Sequence, residues 1–214
     1  MLLIEEVFKS KKNEFSAPFN LRLHRGISWF KRSIDLGDDL DLQFITLWVS
    51  FNAIYARDLS ISQDKQALRQ FLFLICSKDK NDRIYNMIWE KFSHPIRTLL
   101  NNYYVYQGFW DYQNQKISQD ACRADFEEEK AKVYLALQEK DTVAILFILF
   151  NRLYTLRNQV MHGGSTYNSS VNRQQLTDAC TILSALIPVF IYVLLENAQS
   201  LDLGKPFYPV AQVN

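Results

Sequence analysis

The most reactive combination of side chains in this 214-residue chain lies between positions 157 and 162. Arg157, Asn158 and His162 place a permanent cation, an amide and an imidazole on one short segment. A guanidinium offers a planar fork of donors that matches phosphate oxygens, and an imidazole exchanges protons near neutral pH. These residue types therefore indicate phosphate chemistry that is assisted by proton transfer.

The sequence around this motif is poor in acids. Between positions 141 and 175, Asp141 is the one acid against Arg152, Arg157 and Arg173, a local net charge of +2 (three minus one). The whole chain has 24 Lys and Arg against 23 Asp and Glu, a net charge of +1. This balance excludes a protein that binds polyanions over its entire surface. We expect instead a small cationic cleft at the motif.

Other classes of site and location find no support in the sequence. It contains no phosphate-binding loop and no GxGxxG, HExxH or GxSxG pattern. Cys76, Cys122 and Cys180 are widely spaced and form no CxxC pair, so we expect no metal site and predict reduced thiols in a cytoplasmic protein. The first 12 residues lack the features of a signal peptide. The most apolar stretch, 181–195, is shorter than the roughly 20 residues of a membrane span, so we expect no membrane partner.

The elements that must position the motif are predicted to be helices. Glycine and proline together number 11 (6 + 5), too few for the frequent turns of a sandwich or barrel. Apolar residues recur at helical spacing in 19–34 and in a second helix that ends near position 57, capped by Asp38 or Asp39. A third helix starts at Ser62 or Asp64, and a fourth covers 81–104 with a break at Pro95.

The second half of the chain contains the motif helix. Residues 106–116 are predicted to form a loop, and a polar helix capped by Ser118 runs to about 138. The motif helix follows Asp141, is apolar from 143 to 150, and ends at Gly163-Gly164. A polar loop (163–172) leads to a last helix near 173–197. We expect an all-α, single-domain bundle of about six to eight helices over 1–214, with a core at about 20–198 and a loosely ordered tail at 199–214.

Two stretches together resemble the HEPN superfamily, whose members are all-helical domains and in many cases ribonucleases. The pattern Arg157-Asn158-x-x-x-His162 is similar to the Arg–polar–(x)n–His signature of that superfamily. Residues 47–55, LWVSFNAIY, look like a helix of the HEPN proteins that are related to ApeA-type abortive-infection effectors. The order of elements also fits, and the resemblance spans roughly residues 20–198.

The resemblance implies a metal-independent endoribonuclease that uses no cofactor. In such enzymes the 2′-hydroxyl of the RNA attacks the adjacent phosphorus and leaves a 2′,3′-cyclic phosphate and a free 5′-hydroxyl. His162 would act as general base or acid, Arg157 would stabilise charge on the non-bridging oxygens, and Asn158 would orient His162 or the phosphate. The implied partners are RNA, a second copy of the chain, and an antitoxin or regulatory protein, as for a toxin or phage-defence effector.

The spacing of the motif adds a geometric constraint. Residues five positions apart lie about 140° apart around a regular helix, so Arg157 and His162 would not converge on one phosphate from a straight helix. Either the helix distorts before Gly163, or two copies of the chain combine their residues. HEPN proteins typically dimerise across this region, which matches the second option.

Four further residues are candidates for supporting roles, each with a structural role as the alternative. Tyr167, Arg173 and Arg152 flank the motif and are candidates for RNA contact, and Asn52 is a candidate for supporting the motif helix from behind. Two other interpretations of the whole chain remain open. One is a catalytically silent HEPN-like module that binds RNA or nucleotide or docks a partner, and the other is a helical scaffold in which the motif has no chemical role.

Overall fold

The computed structural model describes residues 2–56, 64–206 and 208, and ten α-helices make up most of this part of the chain. The helices are α1 (Leu2–Lys11), α2 (Ala17–Asp35), α3 (Leu40–Tyr55), α4 (Asp64–Lys78), α5 (Arg83–Asn86), α6 (Ser93–Asn101), α7 (Gln107–Gln113), α8 (Gln119–Gln138), α9 (Thr142–Met161) and α10 (Arg173–Glu196). The all-helical class expected from the sequence is confirmed. The count in the described residues exceeds six to eight because α1 and α7 were not anticipated and the helix predicted over 81–104 is divided into α5 and α6.

Three of the predicted helix starts are held by the expected side chains. Asp39, Ser118 and Asp141 each accept a hydrogen bond from the backbone N–H three residues further on, at 3.1, 3.1 and 2.9 Å. These bonds satisfy donors that a helix start leaves without an intrahelical partner. The alternative start of α4 at Ser62 lies outside the described residues.

The helix predicted over 81–104 is divided, but not at Pro95. The chain forms α5, a π-helical turn at Met87–Lys91, and then α6. The break falls at Phe92, whose φ of −117° and ψ of 21° leave the helical region. Pro95 lies in the first turn of α6, because a proline clashes with the carbonyl four residues earlier but is tolerated at a helix start. The break between the two helices therefore lies three residues before Pro95, at Phe92.

The segment 106–116, predicted to be a loop, contains the short helix α7. Aromatic packing stabilises this helix in the absence of apolar periodicity. Phe109 packs edge-on against Tyr103 with ring centroids 4.9 Å apart, and the indole N–H of Trp110 donates to the carbonyl of Tyr104 at 2.8 Å. The prediction was wrong because the helix is stabilised by contacts with residues that precede it. The spacing of apolar residues within a segment does not reveal such contacts.

Four aromatic rings from four helices meet at the centre of the fold. Phe51 of α3 stacks on Phe150 of α9 with centroids 4.2 Å apart. Phe190 of α10 lies 6.2 Å from Phe150, and Phe71 of α4 lies 6.1 Å from Phe51. Side chains of this size contribute much of the apolar burial that stabilises a core. The motif helix α9 is therefore packed into the core through its first half.

Helix α2 is fixed against α3 at a point of close approach. Ser50 Oγ donates to the carbonyl of Gly26 at 2.7 Å. A Cβ atom at position 26 would lie 2.5 Å from Cγ2 of the buried Ile54, a distance too short for two carbon atoms. The absence of a side chain at Gly26 thus lets the two helices pack at this distance.

A buried arginine joins α2 to the end of α3 and to the C-terminal segment. Arg22 is 1% exposed, and its Nη1 donates to the carbonyls of Ile54 and Ala56 at 3.1 and 2.8 Å. Its Nη2 donates to the carbonyls of residues 203, 204 and 205 at 3.2–3.4 Å. Leu203 is also buried. This part of the tail, expected to be loosely ordered, is therefore tied to the core.

Helix α10 is the one helix in the described residues that is long and apolar enough to cross a membrane by length and composition. Of its most apolar window, 67% is buried inside the fold. Helices that are apolar on all sides occur in protein cores as well as in membranes. In this structure the apolar surface of α10 covers α3, α6 and other helices.

The three cysteines are free and sheltered. Cys122 and Cys180 are buried and Cys76 is half-buried, and no disulfide joins them. Burial raises the pKa of the Cys76 and Cys180 thiols to about 12. Because the thiolate is the reactive form of cysteine, these two thiols are chemically inert at neutral pH.

Replacing the buried arginine should weaken the fold. In Arg22→Met, five carbonyl contacts lose a charged donor, and we expect the free energy of unfolding to fall by about 3 kcal/mol. Urea denaturation measures this change. The control Arg32→Met removes an exposed arginine whose nearest carboxylate, on Asp35, is 3.8 Å away, and should cost about 0.5 kcal/mol or less. Equal effects of the two substitutions would contradict the role given to Arg22.

Candidate functional site

The motif lies where α9 ends. Met161 is the last helical residue, and His162 has a φ of −100° and a ψ of 14°, outside the regular helix. The N–H groups of His162 and Gly164 donate to the carbonyls of Asn158 and Gln159 at 3.0 and 2.7 Å, and Gly163 has a φ of +70°. The glycine pair therefore ends the helix as predicted. Because His162 has left the helix, the angle expected for a regular helix does not fix its position.

Arg157 is oriented by its neighbours in α9. Its Nη1 donates to Oδ1 of Asn158 at 2.9 Å, and its guanidinium carbon lies 5.9 Å from the ring centroid of Tyr154. Its buried Nε atom has no hydrogen-bond partner. Within the described residues the guanidinium forms no ion pair. Asn158, expected to orient His162 or the phosphate, thus contacts Arg157 in the single chain.

His162 is exposed to solvent at the end of the helix. Its backbone takes part in the helix cap, but its ring makes no hydrogen bond or ion pair with any described residue. One chain therefore brings Arg157 and Asn158 into contact and leaves the imidazole free. No described residue of the chain orients the ring.

Arg152 is part of the core and does not fit the RNA contact expected of it. It is 3% exposed, donates to the carbonyl of Leu100 at 3.2 and 3.3 Å, and pairs with Glu129 at 3.2 Å. Its guanidinium also lies over the rings of Tyr106 and Phe126, 5.1 and 5.9 Å from their centroids. Burial lowers the pKa of Arg152, against the opposing effect of Glu129. Burial is also the main cause that raises the pKa of Tyr106 to about 12.

The loop after the motif is fastened to the start of α3. Arg173 pairs with Asp41 at 2.9 Å, and its other nitrogens donate to the carbonyl of Ser169. The hydroxyl of Tyr167 donates to Asp39 Oδ2 at 2.7 Å, and this bond raises the pKa of Tyr167. The charge of Arg173 is therefore already engaged by a carboxylate. Tyr167 is 69% exposed, which leaves its ring accessible to a base.

The local charge of the motif region is lower in the fold than along the sequence. The acids that neutralise Arg152 and Arg173 come from α8 and α3, which are distant in sequence. The net charge of +2 calculated for residues 141–175 does not include these acids. Of the three arginines in that stretch, only Arg157 lacks a carboxylate partner among the described residues. The cationic cleft is accordingly reduced to a single guanidinium with an adjacent imidazole.

Asn52 does not lie near the motif end of α9. Trp48 of α3 contacts Tyr154 of α9, with ring centroids 6.1 Å apart. Asp41, closer to the start of α3, contacts Arg173 after the motif loop. The two helices therefore run in opposite directions, and Asn52 lies beyond Trp48, away from Arg157. Asn52 could therefore support only the earlier part of α9, and not the motif as expected.

Gln159 holds the motif end in place and was missed in the sequence. Its Nε2 donates to the carbonyl of Tyr104 at 2.8 Å, and its Oε1 accepts from Asn172 at 3.2 Å. Gln159 therefore joins the end of α9 to the segment before α7 and to the end of the loop. Nothing in the sequence distinguishes this residue. Tyr154 could have been recognised, because it precedes Arg157 by three positions on a predicted helix.

Exposed apolar residues of α9 lie beside the motif. Tyr154 and Met161 are 38% and 51% exposed, and they share a face of α9 with Asn158 because the three residues are four and three positions apart. Large apolar side chains grouped at a surface mark sites of protein contact. We call Tyr154 and Met161 the motif face.

Comparisons of the chain with protein-family models, with curated proteins and with solved structures found no match. The site must therefore be interpreted from its own side chains. In the described part of the chain, no three His, Cys, Asp or Glu residues are grouped so that they could hold a metal ion. The groups that the site offers are a guanidinium, an amide and an imidazole.

The glycine after the motif should be required for the helix end. In Gly163→Ala, a positive φ of +70° would be imposed on an alanine, so we expect the free energy of unfolding to fall by about 1 kcal/mol. Nothing lies within 4 Å of the added Cβ, so the cost would come from the backbone alone. Gly37→Ala is the matched control, with a φ of +56° and equal space. Only the first substitution should shift the NMR resonances of the His162 ring, and unchanged resonances would contradict this account.

Proposed function

We propose that the protein is a dimeric, metal-independent endoribonuclease of the HEPN type. The observation that carries the proposal is the state of Arg157, which has no carboxylate partner among the described residues although Arg152 and Arg173 do. A guanidinium that is fixed by an amide and has no anion beside it is suited to bind one. The exposed imidazole of His162 at the same helix end supplies a group for proton transfer.

The proposed reaction is an internal transfer within the RNA strand. The 2′-oxygen forms a bond to phosphorus, and the bond from phosphorus to the 5′-oxygen breaks. The proton of the 2′-hydroxyl passes to a base, and a proton is delivered to the departing 5′-oxygen. Arg157 stabilises the charge on the non-bridging oxygens, and its bond to Asn158 sets the guanidinium before substrate binds, so that little reorganisation is needed.

The reaction favours a site shared by two copies of the chain. One proton carrier must accept a proton while another donates one, and each chain has one histidine at the motif. A two-fold dimer formed through the motif face would place two His162 rings and two Arg157 guanidinium groups in one cleft. The exposed Tyr154 and Met161 supply apolar surface for this contact.

The proposed substrate is single-stranded RNA in the cytoplasm. The exposed ring of Tyr167 is available to stack on a base, and stacking tolerates any base sequence. Few phosphates would be contacted, so we infer modest affinity and a shallow dependence on salt. A nuclease of this kind fits a toxin or phage-defence effector, held in check by an antitoxin or another regulatory partner.

A second candidate function follows from the unoriented ring of His162. A catalytically silent HEPN-like module would keep Arg157 as a phosphate contact and would have no need to position an imidazole. Such a module would bind RNA or a nucleotide, or dock a partner, without cleaving a bond. The two functions differ in whether His162 is needed for a chemical step or only Arg157 is needed for binding.

Cleavage of RNA in the presence of EDTA tests the proposed function. The wild-type protein should produce 2′,3′-cyclic phosphate ends, detected by mass spectrometry of the products. Arg157→Ala and His162→Ala should each lower the rate by about 100-fold or more, because each removes a group that acts in the transition state. Arg123→Ala, which removes an exposed arginine of α8, is the control and should leave the rate unchanged.

The outcomes of this assay separate the two candidate functions. Cleavage that persists in both motif variants would refute the nuclease assignment. RNA binding that depends on Arg157, with no cleavage by the wild type, would establish the silent module instead.

Dimer formation should depend on the motif face. Met161→Glu places a charge on this apolar surface, and we expect it to convert the dimer to a monomer and to abolish cleavage together. Native mass spectrometry measures the first effect and the EDTA assay the second. Leu135→Glu, at a 55% exposed position on α8, is the matched control and should leave the dimer intact. A monomeric wild-type protein that is fully active would rule out the shared site.

A further inference from the structure

A groove between α1 and α2 lies in a part of the fold that the motif does not use. Its volume is about 1100 Å³, and Lys205 and Pro206 of the C-terminal segment are also part of its lining. The apolar lining residues from the two helices are Phe8, Ala17, Pro18, Leu21 and Ile27. Phe8 and Ile27 are 6% and 4% exposed, so the accessible apolar surface is mainly that of Ala17, Pro18 and Leu21, which we call the floor. No residue of the groove belongs to α9 or to the loop after it.

Positive charge is concentrated on the rim of the groove. Lys9, Lys12, Lys31 and Lys205 line it together with one acid, Glu5, which gives a net charge of +3 (four minus one). The whole chain has a net charge of +1, so the rest of the chain has a net charge of −2 (one minus three). The groove is therefore a positively charged surface on a chain whose other residues are slightly acidic.

Two of these lysines have no acidic partner in the part of the chain that the structure describes. Glu5 is shared by Lys9 at 2.7 Å and Lys31 at 3.5 Å. Within the described residues, Lys12 and Lys205 form no ion pair. An anion that enters the groove can thus contact these two ammonium groups without displacing a carboxylate.

The backbone around the groove is held in place before any ligand binds. Asn20 of α2 donates to the carbonyls of Lys12 and Phe15 at 2.7 and 3.2 Å, which fixes the turn after α1. The buried Arg22 donates to the carbonyl of Lys205 at 3.3 Å. Both unpaired lysines therefore extend from anchored backbone, and a preformed site loses little entropy on binding.

We propose that this groove binds an acidic amphipathic helix of a partner protein. The apolar face of that helix lies on the floor formed by Ala17, Pro18 and Leu21 of α2. Its carboxylates contact Lys12 and Lys205 on the rim. This arrangement is the helix-in-groove mode of recognition, in which apolar anchors at helical spacing give affinity and flanking charges give selectivity.

Shape and chemistry disfavour the other classes of occupant. The groove is at the upper limit of the roughly 300–1000 Å³ typical of small-molecule sites, and most of its lining residues are open to solvent, whereas such sites enclose most of their ligand. Single-stranded RNA uses exposed aromatic faces for its bases, and of the two aromatic rings in the lining Phe8 is 6% exposed, which leaves only that of His24. A phosphate backbone would use the lysines but would leave the apolar floor uncovered.

Designed peptides test the proposal on the full-length protein. The probe is a fluorescein-labelled helical peptide of about 16 residues, or roughly 24 Å, with leucines on one face and glutamates on the flanks. A second peptide replaces every glutamate by lysine, and a uridine oligonucleotide serves as the RNA probe. Fluorescence anisotropy should show binding of the acidic peptide, weaker at high salt, and little binding of the other two probes.

Charge reversal at the rim identifies the site of binding. Lys12→Glu combined with Lys205→Glu should weaken binding of the acidic peptide by about tenfold or more. The matched control, Lys80→Glu combined with Lys91→Glu, makes the same charge change at two exposed lysines outside the groove and should have little effect. Circular dichroism checks that both double variants keep their helical fold.

The position of the peptide provides a second measurement that does not depend on a substitution. A benzophenone on the leucine face should crosslink to residues of α1 and α2, as located by mass spectrometry. Equal weakening by both double variants, crosslinks outside the groove, or binding of RNA alone at Lys12 and Lys205 would each overturn the proposal. Because neither lysine belongs to the Arg157 site, these outcomes are independent of the RNA-cleavage assay.

Discussion

The stack of Phe51 on Phe150 sets the rotation of the motif helix and with it the positions of the two arginines of that helix. Arg152 follows Phe150 by two positions, about 200° around the helix, and lies towards α8. Arg157 follows Phe150 by seven positions, close to two full turns, so it returns to the side of Phe150 near the end of the helix, where it lies beside Tyr154. Arg152 pairs with Glu129, whose side chain is 22% exposed, whereas Arg157 has no carboxylate partner among the described residues.

Charge in this protein is distributed by pairing between distant elements. Acids of α3 and α8 bind the arginines on either side of the motif and so fasten the loop and the helix to the body of the fold. The same pairs remove most of the positive charge that would attract polyanions without selectivity. What remains at the motif is one oriented guanidinium and one free imidazole, which suits contact with a single phosphate better than a broad RNA track.

The sequence predicts the ends of helices well because local residues determine them. Asp39 and Asp141 accept their capping bonds from amides three positions away, and Gly163 supplies the positive φ that ends α9. The environment of each arginine could not be predicted in the same way. Asp41 is 132 positions from Arg173, and no periodicity or spacing reports a contact across that separation. Patterns of neighbouring residues therefore located the motif. They overestimated its positive charge, because they do not include the acids that pair with Arg152 and Arg173 in the fold.

The sheltered thiols have a practical consequence for testing whether two copies of the chain associate. Cys122 is buried, and the thiols of Cys76 and Cys180 remain protonated at neutral pH. A cysteine introduced at an exposed position would react with a maleimide or a methanethiosulfonate far faster than these three. Spin labels can thus be attached selectively without first removing the native cysteines. Electron paramagnetic resonance then tests the proposed association, because a distance between two labels is measurable only when two labelled copies bind each other.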